Sequence, residues 1–280
     1  MGTAHWRRAA FVARTWCASA VVGHHGDMTS RLLTPWWRSR PAGGAQLAAA
    51  GGVAATPTLD WGSPAVQALL NELRPAGSSE VGRTLLCRAH GLIVSRVRPV
   101  YALDDAQPAS RTLTRGRGSC SQRLAVLEAV ARADGIATRV RGLHVDGRFW
   151  CPRFPRLRFA VPDAVLLAWP EFLLEGDCVA ASELFGPVGS LCGGSGFSNA
   201  DGETLFDAVA RTAVDWDGTT STLGACSACD LSATVLQDFG RFDCRDELFA
   251  RHGQTLCWPA RTLSGPVLGR WSARTSSPAA

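Results

Sequence analysis

The 280-residue chain contains no lysine, so all 29 of its basic side chains are arginine. That absence, with the wealth of Ala, Gly and Arg, reads as coding bias in a GC-rich genome, such as that of a high-GC bacterium. The net charge of +5 is mild and scattered, with no basic block. A nucleic-acid footprint needs basic residues clustered on one face, so nucleic acid is not an expected partner. No apolar run approaches the length of a membrane span, which argues against a membrane partner and for a cytoplasmic protein. Near the N-terminus, His5-Trp6-Arg7-Arg8 followed by Ala9–Gly23 imitates a signal peptide, but Arg14 interrupts its apolar centre. Met28 is the only methionine after Met1, so translation beginning there is a second reading of this end.

The glycine-rich run Gly193-Gly194-Ser195-Gly196 lacks the Gly-Lys-Ser/Thr ending of a phosphate loop, and reads as a flexible loop. Ten cysteines are present at irregular spacing, in a chain long enough to fold without disulfide staples. Reduced thiols are expected. Cys226 and Cys229 form the only close pair; Cys244, His252 and Cys257 follow without the second close pair of a zinc ribbon. Buried small hydrophobes are the expectation there, with no metal and no cofactor.

Composition and periodicity divide the chain into four parts. Residues 1–58 read as a disordered extension and a Gly/Ala/Pro-rich linker, with order beginning near Trp61. Residues 59–218 read as the main domain, 219–271 as a helical extension packed on it, and 272–280 as a disordered tail. Val66, Leu69, Leu70 and Leu73 recur at helical spacing within Pro64–Leu73. Val81, Leu85, Ile93, Val94 and Val97 repeat the pattern within Glu80–Val97. A third helix, capped by Ser119 or Gly118, runs to about Ala133 with Leu124, Leu127, Val130 and Ala131 as its buried stripe, and Gly135 stops it.

Ile136–Val145 reads as a strand, Asp146-Gly147 as a tight hairpin turn and Arg148–Phe154 as the returning strand. Ala164–Glu175 is a further apolar strand in which Pro170 suggests a bulge or an edge, and Cys178–Leu184 is another. Helices are expected at Glu203–Ala213, Leu231–Phe239 and Asp243–Arg251, the last ended by Gly253. Helices, then a cysteine-bearing helix, then strands, then helices make an α+β fold with that helix packed on a small antiparallel sheet.

Cys120 sits on the first turn of its helix, directly after Gly116-Arg117-Gly118-Ser119. A helix N-terminus favours thiolate over thiol, and cysteines placed there have pKa values of roughly 3.5–7.5. Its backbone N–H also suits an oxyanion. The competing reading is a small apolar side chain filling a gap.

The run Gly118-Ser119-Cys120, the helix end Ala131-Arg132-Ala133-Asp134-Gly135-Ile136-Ala137-Thr138-Arg139-Val140 and the later Ala168-Trp169-Pro170-Glu171-Phe172 resemble the transglutaminase-like superfamily, with its papain-like cysteine fold, over about residues 116–184. The resemblance implies acyl transfer on amides (crosslinking, deamidation or peptide hydrolysis) through a thioester, on a protein or peptide partner. Cys120 matches the nucleophile, Gly135-Ile136 and Arg139 the turn and strand, and Ala168-Trp169 with Glu171 the second strand. Two positions depart: Leu167 stands where the family has histidine, and Ser182, beside Glu183, where it has aspartate. Leucine can neither deprotonate a thiol nor protonate a leaving amine.

His144, at the end of the strand after the cysteine helix, is the candidate replacement base, against the reading of a hairpin histidine facing solvent. His90 reads as a packed or partly exposed side chain, and Glu171 as a group that orients a base or binds a cation, or most simply as a solvent-facing strand residue. Trp150, Trp169 and Phe172 line a pocket or fill the core. Asn199-Ala200-Asp201-Gly202 gates the site or caps the helix at Glu203. Two functions follow: a cysteine hydrolase or acyltransferase using Cys120 and His144, or an inactive fold of the same kind acting as a binding or scaffold module. The oligomeric state is not legible.

Overall fold

The computed structural model describes residues 49–74, 82–102, 104–154, 158, 161–192, 195–199, 203–222, 224 and 227–256. The signal-like stretch, Met28, Val81, Gly193-Gly194, Cys226, Cys257 and the 272–280 tail lie outside the described residues.

Helix α1 (Pro64–Leu73) opens with proline, whose missing N–H has no intrahelical partner to lose, and buries Val66, Leu69, Leu70 and Leu73. Helix α2 (Arg83–Arg96) buries Leu85, Leu86, Ala89, His90 and Ile93. A two-residue strand β1 (Arg98–Pro99) pairs in parallel with β2 (Arg117–Gly118), and helix α3 (Ala109–Arg115) lies between them in sequence. Helices α1, α2 and α3 all pack on α4 (Cys120–Ala133). The expected stripe of α4 is buried, but so is every residue from Gln122 to Arg132.

Three charged residues survive burial in α4 because each is paired. Arg123 meets Asp207 at 2.8 Å, and Glu128 accepts from Arg245 Nε at 2.9 Å. Arg132 donates to Thr138 Oγ1 and to the carbonyls of Ala54 and Asp243, each at 2.7 Å.

The main sheet holds β3 (Thr138–Asp146), β4 (Ala164–Leu174), β5 (Asp177–Ala180) and β6 (Val235–Phe242), in the order β5-β4-β3-β6 with every neighbouring pair antiparallel. The α+β class is therefore as expected, but several elements are not. The Asp146-Gly147 hairpin does not form. The Asp146 carboxylate accepts from Arg148 N–H and starts a 3₁₀ helix over Gly147–Arg153 that contains Pro152. Gly147 donates to Asp163 O at 2.8 Å, and a Cβ there would stand 1.6 Å from Pro162 O. The strand that returns on β3 is thus β4, after a long excursion.

Pro170 makes no bulge in β4 but sits where the strand is, as expected, locally an edge. Leu173 N–H points to β3, donating to Ala137 O, so alternation sends the N position of residue 170 toward β5. β5 ends at Ala180 opposite Glu171, so no ladder hydrogen bond is lost. The strand expected to reach Leu184 instead turns into a 3₁₀ segment at Ala181–Glu183.

The helix expected over Leu231–Phe239 is largely β6. Its partners run Gly142↔Gly240, Leu143↔Asp238, His144↔Gln237 and Val145↔Val235, which leaves Phe239 and Leu236 as unpaired extra residues at two bulges. Bulges break strict alternation, so the apolar spacing imitates a helix. The Glu203–Ala213 helix shortens to one turn, α5 (Leu205–Ala208); a second single turn, α6, is Thr219–Thr222. Helix α7 (Arg245–His252) ends at Gly253 as expected.

Residues 49–58, expected as linker, are bound to the rest. Gly52 and Thr138 exchange both backbone hydrogen bonds at 3.0 Å, and Thr58 N–H and Oγ1 both donate to Asp246. The apolar interior has two parts. A large cluster joins α1, α2 and α4 to Leu143, Leu167 and Trp169, while a small one packs Val140, Leu166 and Ala168 against Phe242, Leu248 and Phe249.

Candidate functional site

Local geometry fixes Cys120 at the head of α4. Gly116 ends α3 with a left-handed φ of 58°. Gly118 lies where a Cβ would come within 2.7 Å of the Thr112 side chain. Ser119 then caps α4: its Oγ accepts from Gln122 N–H at 3.2 Å, while Gln122 Oε1 accepts from Ser119 N–H at 3.1 Å. The Gln122 amide also donates to Asp104 O at 2.8 Å. This reciprocal box fixes the first turn and with it the thiol.

Cys120 is half-buried and lines a cavity of about 300 Å³. Val100, Phe149, Trp150, Leu166, Leu167 and Leu205 form much of its apolar wall. Arg123 and the Phe206 backbone lie close enough to favour its charge. Burial outweighs both and pushes the thiol up to about 12. The expected depression of its pKa is therefore reversed. A helix N-terminus contributes at most about 2 kcal/mol to a nearby anion, less than the penalty for charging a group surrounded by hydrocarbon.

The structure does not bring His144 to Cys120. His144 pairs with Leu166 and Leu143 with Leu167, on opposite faces of the sheet; Leu166 reaches the cavity from β4, but His144, one strand further along, does not. The His144 ring meets Phe239 at 5.7 Å and does not line the cavity. Leu167 does line it and is 5% exposed. Ser182 is buried at the start of the 3₁₀ segment after β5.

His90 is a packed side chain rather than a base. Its Nε2–H donates to Phe206 O at 2.6 Å, and its ring stacks on Phe206 and meets Phe185 edge-on. Burial pushes its pKa down, more than the hydrogen bond to Phe206 raises it. Glu171 is not a solvent-facing strand residue. It is 5% exposed, accepting from Arg139 Nε at 2.5 Å and Arg241 Nε at 3.0 Å. Trp150 lines the cavity, while Trp169 and Phe172 belong to the core.

Of the cysteines raised as metal ligands, Cys229 is buried 3.5 Å from Thr212 Oγ1 and Cys244 precedes α7. Among the described residues no cluster of three or more His, Cys, Asp or Glu side chains could hold a metal ion. No described helix is long and apolar enough to cross a membrane.

Arg123, Thr204 and Arg153 had no reading as site residues in the sequence. Arg123 is wholly buried, bonds Thr204 Oγ1 at 3.0 Å and Asp207 at 2.8 Å, and lies over the Phe206 ring at 4.4 Å. It ties α4 to the α5 turn that covers Cys120; an arginine three positions past the cysteine was the available signal. Thr204, not Asn199, caps α5, sharing a capping box with Asp207. Asn199 instead lines the cavity together with Arg153, and accepts from its guanidinium.

No family model matches the chain, and no curated protein matches it. Among solved structures it is similar to the crystal structure of a candidate cysteine protease from Cytophaga hutchinsonii, at 18% identity and a TM-score of 0.34. The likeness covers 46% of this chain and 39% of that one, so the chain spans well under half of that protein. A likeness of this size carries no argument about chemistry.

Proposed function

We propose that this chain is a transglutaminase-like domain that binds a ligand at the former acyl-transfer site rather than turning one over. A single observation carries the reading: the cavity beside Cys120 is walled by Leu167 and aromatic side chains, with no histidine among its described lining residues. Thioester chemistry needs a thiolate to attack and an acid to protonate the leaving amine. Burial keeps the Cys120 thiol neutral at physiological pH, and Leu167 offers no proton. Loss of one triad member costs around four orders of magnitude in rate, so little turnover is left.

Residual acyl transfer at Cys120, on a protein or peptide amide, is the second reading. It is favoured by the Phe206 backbone, which lowers the thiol pKa, and by the place of Cys120 on the first turn of α4. One experiment separates the two. The full chain is incubated at neutral pH with glutamine peptides and activated thioesters, and intact mass and ammonia release are followed. Binding without turnover predicts neither an acyl adduct nor ammonia. An adduct that disappears in Cys120→Ala would establish the enzymatic reading instead.

A further inference from the structure

The cavity beside Cys120 joins an apolar wall to polar side chains that the protein itself already engages. Tyr101 sets its ring against Phe154 with centroids 4.6 Å apart, and Phe149 meets Trp150 edge-on at 4.9 Å. Leu166, Leu167 and Leu205 add hydrocarbon. Among the polar side chains of the wall, the Thr204 hydroxyl accepts from Arg123 at 3.0 Å and donates to Asp207 at 2.7 Å. Ser119 Oγ accepts from Gln122 N–H, Ser121 Oγ from Arg245 at 3.3 Å, and Thr255 Oγ1 from Leu166 N–H at 3.0 Å. Asn199 uses its amide oxygen on Arg153 and its nitrogen on Phe149 O. Asp105 and Arg153, the charged residues of the wall, both have partners within the protein. Burial keeps the Cys120 thiol uncharged as well.

We infer that this cavity takes a small uncharged molecule with a hydrocarbon body, seated against Phe149, Trp150, Leu166 and Leu167 beside Cys120. The inference rests on the reading of this pocket as a binding site and names its ligand class. A charged ligand would leave water for a wall whose charged residues are already engaged, and an ion buried without a partner is strongly penalised. A peptide segment would bring backbone N–H and C=O groups that need partners of their own. A hydrocarbon body needs none, and gains from every part of its surface that it removes from water. The cavity of about 300 Å³ stands at the small end of ligand sites, while an apolar cavity of about 150 Å³ is enough to hold benzene.

Calorimetric titration of the full chain at neutral pH tests it, using decanol, decanoate and decylamine, which share one hydrocarbon chain, and an acetylated, amidated Val-Leu-Phe peptide. Decanol should bind at one site, at least about tenfold more tightly than decanoate or decylamine, because only the charged pair must be stripped of water without a new partner. Protection of the thiol locates the site. Saturating decanol should slow iodoacetamide labelling of Cys120 at alkaline pH and leave labelling of the exposed Cys178 unchanged. Leu167→Trp, which fills the cavity, should abolish decanol binding. Absence of decanol binding up to its solubility limit, binding of either charged homologue as tight as decanol, tighter binding of the peptide, or decanol binding without protection of Cys120 would each overturn it. Titration and protection on the unmodified protein decide the matter even where the variant fails to fold. Turnover is read separately: an acyl adduct on Cys120 would remove the function proposed above, whereas tighter binding of a charged homologue would remove only the ligand class.

Discussion

Cys120 shows how one residue's surroundings override its position. The chain places a thiol where peptide dipoles favour its anion, and the fold then sets it in the wall of a cavity it shares with Leu167, Leu205 and Phe149. Alkylation of Cys120 by iodoacetamide should therefore be slow at pH 7–8 and keep rising as pH approaches about 12, followed by peptide mass spectrometry with exposed Cys178 as internal reference. A rate that plateaus below pH 8 would contradict the neutral thiol. The same shift has a stability consequence. A thiol whose pKa is raised on folding contributes stability that is fully present below its ordinary value near 9 and is lost as pH rises toward 12. Leu167→His supplies the converse test. An imidazole paired with a cysteine lowers the thiol pKa to roughly 3–7, so this variant should label at least about tenfold faster at neutral pH. An unchanged rate would mean that position 167 does not face the sulfur.

At the level of elements, α4 is the axis and its polar residues are its fasteners. Glu128 and Arg245 are both wholly buried and join α4 to the start of α7. A broken buried pair leaves a charge without compensation, at a cost of about 3–5 kcal/mol, whereas an apolar pair of similar volume is close to neutral. Arg245→Met alone should therefore lower unfolding free energy by about that amount, and Glu128→Leu with Arg245→Met should restore most of it, as read by urea denaturation. Double and single variants of equal stability would show that the pair does not couple the two helices. The elements that the sequence hid share a cause. β6 was masked by the two bulges that leave Leu236 and Phe239 unpaired, and the supposed hairpin by a carboxylate that caps a 3₁₀ turn instead. In both, an irregular backbone satisfied its hydrogen bonds in a way periodicity does not record.

For the whole molecule, residues 49–58 are part of the folded unit rather than a linker to it. Leu59 is fully buried, Gly52 pairs with Thr138, and Thr56 and Thr58 both hold Asp246 of α7. A chain starting at Trp61 should be less stable than one starting at Ala49 by at least about 3 kcal/mol, the burial of one leucine plus several long-range hydrogen bonds. Equal melting temperatures for the two would return residues 49–58 to the status of linker. Much of the candidate site was legible: Cys120 at a helix head, its serine cap, the Arg139 and Glu171 strands, and the leucine at position 167. The partners of those residues were not. Glu171 looked solvent-facing until Arg139 and Arg241 were seen to enclose it, and His144 looked near the cysteine until strand alternation turned it to the opposite face.

What the sequence determined by itself was local: apolar spacing set α1, α2 and α4, Ser119 with Gln122 set where α4 starts, and Gly135 and Gly253 set where α4 and α7 stop. Those signals act over a few residues, within reach of backbone sterics and nearby hydrogen bonds. Tertiary structure alone decided that the thiol is neutral, that β6 joins the sheet beside β3, and that Arg153 and Asn199 line one cavity with Cys120. Burial, charge and strand register depend on groups brought together from as far apart as Cys120 and Phe206 or Arg139 and Arg241, and that proximity exists only after folding.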